Sequence, residues 1–367
     1  MIARHVERRP VKSLLSIMGI AFAVAIMMVG NFQEDAINFM VDVQFGLAQR
    51  EDLAVTFVEP ASRRALHELT SLPGVEYGET FRAVPARLRF GHRSYRAAIQ
   101  GMEPGGDLER LLDIRLRPVA LPPEGIVLTD YLGKILGVRP GDRLRVEVLE
   151  GSQPVLDVPV AGLISQYIGV AAYMDRAALN RLMREGEAIS GAWLAVDERS
   201  QAAVFEALKE RPRVAGTMIR KRAIATFYET MGETILIFTF INTLLAATIA
   251  VGVVYNSARI TLSERRWELA TLRVLGLTRA EISYILLGEL GLFTLAAIPL
   301  GFLIGRGLCA YIAENLQSDL FRVPLVVEPS TYGFAAAVVL AAAALSGLLV
   351  RRRLDRLDLV AVLKTGD

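Results

Sequence analysis

Four long apolar runs constrain this chain more than any other feature, because roughly 20 mostly apolar residues are what a helix needs to cross a bilayer. Ile235–Tyr255, Ile282–Leu303 and Tyr332–Val350 meet that length with no charge or a single one. Leu14–Val29 is shorter, but Val11 and Phe32 extend it into the interfacial regions, and we read it as a span too. Whole-chain figures of 53% hydrophobic residues and a mean hydropathy of +0.38 lean only mildly the same way. Position decides the matter: the surplus sits in the four runs, and the stretch between the first two has the make-up of a soluble domain. The other reading of the first run is a cleaved signal peptide, since Arg4, Arg8, Arg9 and Lys12 precede an apolar core of suitable size. Its small-x-small sites, Ala21–Ala23 and Ala23–Ala25, lie inside the run rather than after it, which argues against cleavage.

Orientation follows from the short loops, because Lys and Arg accumulate on the cytoplasmic side. The N-terminus, the segment after the second span (Arg259, Arg265, Arg266, Arg273, Arg279) and the tail (Arg351, Arg352, Arg353, Arg356, Lys364) therefore share that side. The loop between the last two spans has Arg322 against Glu314, Asp319 and Glu328, and the exit from the first span is acidic at Glu34, Asp35 and Asp42. Both termini are expected in the cytoplasm of a multi-pass inner-membrane protein. Arg220–Lys221–Arg222 falls on the outer side, but large domains translocate largely regardless of charge.

The expected layout is a cytoplasmic N-terminus and first span (1–32), an extracytoplasmic domain (33–230), a second span (231–256), a cytoplasmic helix (257–280), a third span (281–308), an outer loop (309–331), a fourth span (332–350) and a cytoplasmic tail (351–367). The outer domain reads as α+β. Strand signals at Leu53–Val58, Ala86–Phe90, Tyr95–Gln100, Ile126–Leu128, Leu144–Leu149, Asp157–Ile164 and Ala192–Asp197 alternate with short helical stretches. Those helices are Ser62–Ser71, Thr129–Leu136, Asp175–Arg184 with Asp175 as its cap, and Ser200–Lys209. Gly91-His92-Arg93-Ser94 marks a hairpin.

Chemistry is not announced anywhere. The sole Gly-Lys pair, Gly133-Lys134, has Leu128 where a phosphate loop needs its first glycine. His5, His67 and His92 are scattered, and no zinc-protease or serine-hydrolase pattern occurs. Cys309 is alone, so an internal disulfide and a cysteine zinc site are excluded. With 41 basic and 39 acidic residues, the chain lacks the basic field of a nucleic-acid binder. No catalytic residue, no bound cofactor and no metal site are expected, and the chain is read as a non-enzyme.

The informative stretch is Ser257–Ile282. Leu262, Leu269, Leu272 and Leu275 recur near helical spacing, with Glu264, Arg265 and Glu268 largely off that face. Gly276 suits the left-handed position that ends a helix, and Thr278 with Glu281 forms a capping box that starts the third span. A plain interfacial connector would share the amphipathicity. Within the spans, Glu289 sits where a carboxylate is costly. Its expected role is a hydrogen bond to Thr239, Asn242 or Thr243 of the second span, with proton transfer as the other candidate. Gly301-x-x-x-Gly305 permits close helix approach, in the chain or in a dimer, and Pro299 marks a kink.

Glu264-Arg265, Glu268-Leu269 and Leu272-Arg273-Val274-Leu275-Gly276 resemble the Glu-Arg…Glu-Ile/Leu…Leu-Arg-x-Leu-Gly signature of the FtsX-like, MacB-type permeases of the ABC transporter superfamily. The tail, Arg351 to Leu363, resembles that family's closing segment, and Arg8-Arg9-Pro10-Val11-Lys12-Ser13 its approach to the first span. The resemblance covers the whole topology and is least specific in the outer domain. It implies a permease without its own ATPase, so that ATP and Mg would be bound by a separate cytoplasmic subunit. Glu264, Arg265, Glu268, Leu272, Arg273 and Gly276 would form the surface that docks into it, and closure of the ATPase would move the outer domain. Further implied partners are a second permease unit, as homodimer, heterodimer or tandem half, and a periplasmic adaptor. Two functions fit: export or extraction of an amphipathic cargo such as a lipid or lipoprotein, and FtsX-like mechanical signalling to a cell-wall hydrolase.

Overall fold

A computed structural model describes residues 10–113, 115–264, 278–318 and 321–355. It divides into two compact units: 1–37 with 232–315 and 325–367, and 38–231 with 316–324.

The first unit is helical. It holds most of α1 (Pro10–Val41), the greater part of α6 (Arg220–Glu264), α7 (Arg279–Asn315) and α8 (Pro329–Asp355). Each carries a stretch long and apolar enough to cross a membrane, the first running on beyond the end of α1: Ser13–Ala48, Leu236–Ser257, Leu287–Asn315 and Pro329–Leu349. The first and second of these helices run further than their apolar runs suggest. α1 does not stop near Phe32 but continues to Val41 and then, as a π-helical turn, through Asp42–Ala48. No glycine or proline interrupts Asn31–Phe45, and Ala36, Met40 and Val41 keep an apolar stripe buried. α6 begins at Arg220 and spans 45 residues. Pro299 lies inside α7, where its missing N–H forfeits one backbone hydrogen bond.

α1 is the centre of this unit, with Ile20, Ala21, Ala23, Val24, Met27 and Met28 almost completely buried. The three other helices approach it through small or polar residues. Along α6, Ser257 Oγ lies 2.9 Å from Ser16 Oγ, and Thr239 Oγ1 donates to the Gly30 carbonyl at 3.4 Å. These contacts pair the two helices antiparallel. On α7, a Cβ placed on Gly301 would come within 2.5 Å of Val24 Cβ, and one on Gly305 within 2.6 Å of Met28 Sδ, so α7 runs in the direction of α1. At the start of α8, Asp35 Oδ2 accepts from Thr331 Oγ1 at 2.7 Å and from the Glu328 N–H at 3.0 Å. An acid on α1 thus satisfies donors at the N-terminal end of α8.

The second unit is the α+β domain. Its strands are β1 (Leu53–Ser62), β2 (Val75–Phe90), β3 (Arg93–Met102), β4 (Ile126–Thr129), β5 (Arg143–Val148), β6 (Val155–Ile164), β7 (Ala172–Asp175), β8 (Ala188–Val196) and β9 (Val214–Ile219). Short helices α2 (Arg64–Thr70), α3 (Asp130–Leu136), α4 (Arg176–Met183) and α5 (Gln201–Lys209) lie between them. The long strand β2 belongs to two lobes. Its second half pairs with β3 and β5, and the order β2-β3-β7-β4-β6-β5 returns to β2, closing a six-stranded barrel. The β3–β7 and β4–β6 pairings are parallel, the rest antiparallel. Val84, Ala86 and Leu88 alternate into the interior beside Ile99, Leu128, Leu144, Val146 and Val160. The first half of β2 pairs with β8, which continues through β1 to β9 as an antiparallel sheet.

α2 and α5 cover that sheet, burying Leu53, Val55, Leu69, Leu194, Val204 and Leu208. Gly191 of β8 has no substitute: a Cβ there would lie 2.1 Å from the Val55 carbonyl oxygen and 2.5 Å from the Phe81 ring. Between the two cores, Phe81 and Trp193 meet at 4.7 Å between ring centroids and are joined by Leu108 and Leu111 from the irregular connection after β3. The first half of β2, β7 and β9 were not among the expected strands.

Candidate functional site

Most of the expected docking surface, Arg265, Glu268, Leu272, Arg273 and Gly276, lies outside the described residues. Glu264 is the last residue of α6. On the far side, the Thr278 N–H donates to Glu281 Oε2 at 2.7 Å and the Glu281 N–H to Thr278 Oγ1 at 3.3 Å. This reciprocal box starts α7, and its hydrogen bonds hold the Glu281 carboxyl below the usual range.

Within the helical unit, Glu289 is 7% exposed. Asn242 and Thr239, its candidate partners, face the first helix: a Cβ on Gly30 would meet Asn242 Cβ at 2.9 Å, and the Asn242 amide donates to the Phe238 carbonyl one turn back on its own helix. Gly301 and Gly305 spend their open faces on α1, against Ala21, Val24, Ala25 and Met28. The glycine pair therefore makes an intrachain contact. Cys309 is buried and Arg306 exposed.

The α+β unit holds charged groups that the sequence did not single out. Arg82, 1% exposed, pairs with Glu150, donates twice to Glu185 at 3.0 Å, and reaches Ser190 Oγ at 2.9 Å. A buried guanidinium so fully partnered fastens β2 to the connections after β5 and α4. Glu79 caps the irregular connection, accepting from the Asp107 and Leu108 N–H groups at 2.6 and 3.2 Å. Glu51 and Glu109 are also buried, and Oε2 of each meets no hydrogen-bond partner among the described residues. Burial pushes Glu51 up to about 7, with Arg220 pulling it down and Asp52 and Glu79 pushing further up. Glu109 is held well above the carboxylate range by burial and by the charges of Glu51 and Glu79.

Within Arg220–Lys221–Arg222, the first two residues pair with acids. Arg220 donates to the Phe45 carbonyl at 2.9 Å and to Asp52 Oδ1 at 3.2 Å, Lys221 pairs with Glu198, and Arg222 sits 5.4 Å from the centre of the Phe205 ring. Tyr228 adds a hydrogen bond to Asn38 at 3.2 Å. The start of α6 is thereby bound to the end of α1 and to β1.

Two cavities lie in the α+β unit. One of about 30 Å³, lined by Gln44, Glu109, Gln166 and Tyr173 among others, has room for a water molecule. A surface groove of about 980 Å³ runs along Phe57–Ser62, α2 and Arg211–Val214, with Glu59, Glu68, Arg211 and Arg213 spread along it. Among the described residues, no group of three or more His, Cys, Asp or Glu could hold a metal ion.

Residues 240–359 match the family model described as FtsX-like permease C-terminal. No curated protein matches the chain. Among solved structures, the extracellular domain of YknZ, a noncanonic ABC-type transporter from Gram-positive bacteria, is similar at 12% identity and a TM-score of 0.32, covering 42% of this chain and 87% of that one. The periplasmic region of MacB from Actinobacillus actinomycetemcomitans is similar at 13% identity and a TM-score of 0.35, covering 50% of this chain and 94% of that one. The family match takes in about a third of the chain. Residues 240–359 are thus similar to the C-terminal region of FtsX-like permeases, in a chain with four helices long and apolar enough to cross a membrane.

Proposed function

We propose that the chain works with a separate cytoplasmic ATP-binding subunit, docks it through Glu264–Gly276, and uses the closure of that subunit to move its outer domain. The cargo in this reading is amphipathic or lipophilic, extracted or exported by that movement and not by passage between the helices. The carrying observation is the match over residues 240–359, which contains the apolar stretches of α6, α7 and α8 and the charged segment between α6 and α7. The uninterrupted course of α6 supports it, because a helix transmits axial force without the slack of a loop. Its polar start is tied through Arg220 to Phe45 in the π-helical turn after α1 and to Asp52 just before β1, so displacement of the helix cannot leave that lobe behind.

Placement in an inner membrane with cytoplasmic termini follows from the Arg and Lys asymmetry of the short loops. A second permease unit would complete the assembly, since ABC ATPases act as closing pairs and need a docking segment for each. Replacing Glu268 and Arg273 together by alanine tests the docking surface. The expected result is a folded permease that no longer alters the ATP turnover of its partner or moves its outer domain. Unchanged ATPase binding together with unchanged movement would refute the assignment.

A further inference from the structure

We propose that residues 316–318 and 321–324 act as a mechanical strap, and that Arg322 is the positioning residue that fastens the α7–α8 connection to the six-stranded barrel. This rests on the mechanical reading above and adds a second load path to it. A connection between two neighbouring helices has only to reverse the chain, and a polar, solvated turn would suffice. Here the described residues of the connection bridge one another and are stitched to the barrel. Gln317 and Arg322 form an isolated bridge, and the Ser318 N–H donates to the Phe321 carbonyl at 3.1 Å. Phe321 pairs with Ile168, and the Arg322 N–H donates to the Tyr167 carbonyl at 2.8 Å.

The Arg322 side chain is the anchor. It is 9% exposed, pairs with Asp130 at the start of α3, donates to the Gly169 carbonyl at 3.2 Å, and lies 5.5 Å from the centre of the Tyr131 ring. Asp130 is held in turn by Ser165 Oγ at 3.2 Å and by the Tyr131 N–H at 2.7 Å. Burying a guanidinium is costly unless it is paired and bonded in this way, so a connector without a holding role would have little reason to carry one. The strap begins one residue after α7 ends at Asn315, and α7 begins at the capping box beside the proposed docking segment. A displacement at that segment thus reaches the barrel along α7 and Arg322, while α6 and Arg220 deliver it to the β1–β9 sheet.

The test uses the full chain with its ATPase in lipid nanodiscs, with Cys309→Ala and spin labels attached at cysteines introduced for exposed residues. One pair, His92 on the β2–β3 turn and Tyr311 near the end of α7, reports the fastening; the other, His92 and Ile260 on α6, reports nucleotide-driven movement. Arg322→Ala is expected to broaden the His92–Tyr311 distribution about two-fold and to reduce the shift produced by trapping with ATP and vanadate by about half, because the side-chain contacts to Asp130 and the Gly169 carbonyl are lost. The exchange Arg322→Asp with Asp130→Arg should restore a narrow distribution, which separates loss of the pair from misfolding. An unchanged width or an unchanged shift in Arg322→Ala overturns the strap. Absence of any shift in the unsubstituted complex would instead overturn the mechanical reading, leaving the width to decide the fastening.

Discussion

Glu51 shows what a single side chain contributes to the α+β domain. It is 2% exposed, one of its carboxylate oxygens finds no partner among the described residues, and burial lifts it from 4.5 to about 7. The sign of its linkage follows. Between those two values the folded chain keeps the proton while the unfolded chain loses it, so stability falls as pH rises through that window. Thermal melting followed by Trp193 fluorescence should therefore occur at higher temperature near about pH 5.5 than near about pH 8. Glu51→Gln, which keeps the shape without the charge, is expected to recover up to about 3 kcal/mol at the higher pH and to flatten this part of the profile. A variant that melts as the parent does at both pH values would contradict the assignment. Arg82 is the opposite case. Its charge is fully partnered by Glu150, Glu185 and Ser190, so removing it should cost stability at every pH.

Among elements, the packing of α7 on α1 depends on two glycines. Gly301→Ala would place a methyl 2.5 Å from Val24 Cβ and 2.8 Å from the Ala21 carbonyl oxygen, and backbone cannot yield as a side-chain end can. We expect about 1–3 kcal/mol of destabilisation, read as a lower melting temperature in detergent. Gly307→Ala, where a Cβ meets nothing within 4 Å, should be neutral or slightly stabilising. Equal effects at both positions would mean that helix propensity, not close approach, governs this helix. The glycine spacing was readable in the sequence, but not its partner, because two small residues four apart suit an intrachain and an intermolecular contact equally. The same limit explains the elements that were missed. β7 is four residues long, buried on both faces, and has no alternation to detect. The first half of β2 carries Glu76, Glu79 and Arg82, whose charges hide the strand until their partners are placed. α1 outran its apolar core because a helix end is set by breakers and caps as much as by hydrophobicity, and none stands between Asn31 and Phe45. By contrast, the Asp175 cap and the Thr278–Glu281 box were legible, since both need only residues within one turn.

For the whole molecule, the most telling segment is the charged one between α6 and α7, and the match over residues 240–359 surrounds it. Its residues are recognised by motif rather than by geometry, so their roles call for experiment on the assembled complex. Export and signalling differ in what the α+β domain would hold. A periplasmic adaptor or lipid bound to the complex supports the first, and a peptidoglycan hydrolase supports the second. Both require the same engine. The most direct measurement is therefore purification of the tagged full chain from its own membranes in mild detergent, with quantification of every protein that remains bound. We predict a cytoplasmic ABC ATPase in stoichiometric amount, lost or functionally silent when Glu268 and Arg273 are replaced. A permease that purifies intact with no ATPase would contradict the proposed function at its root.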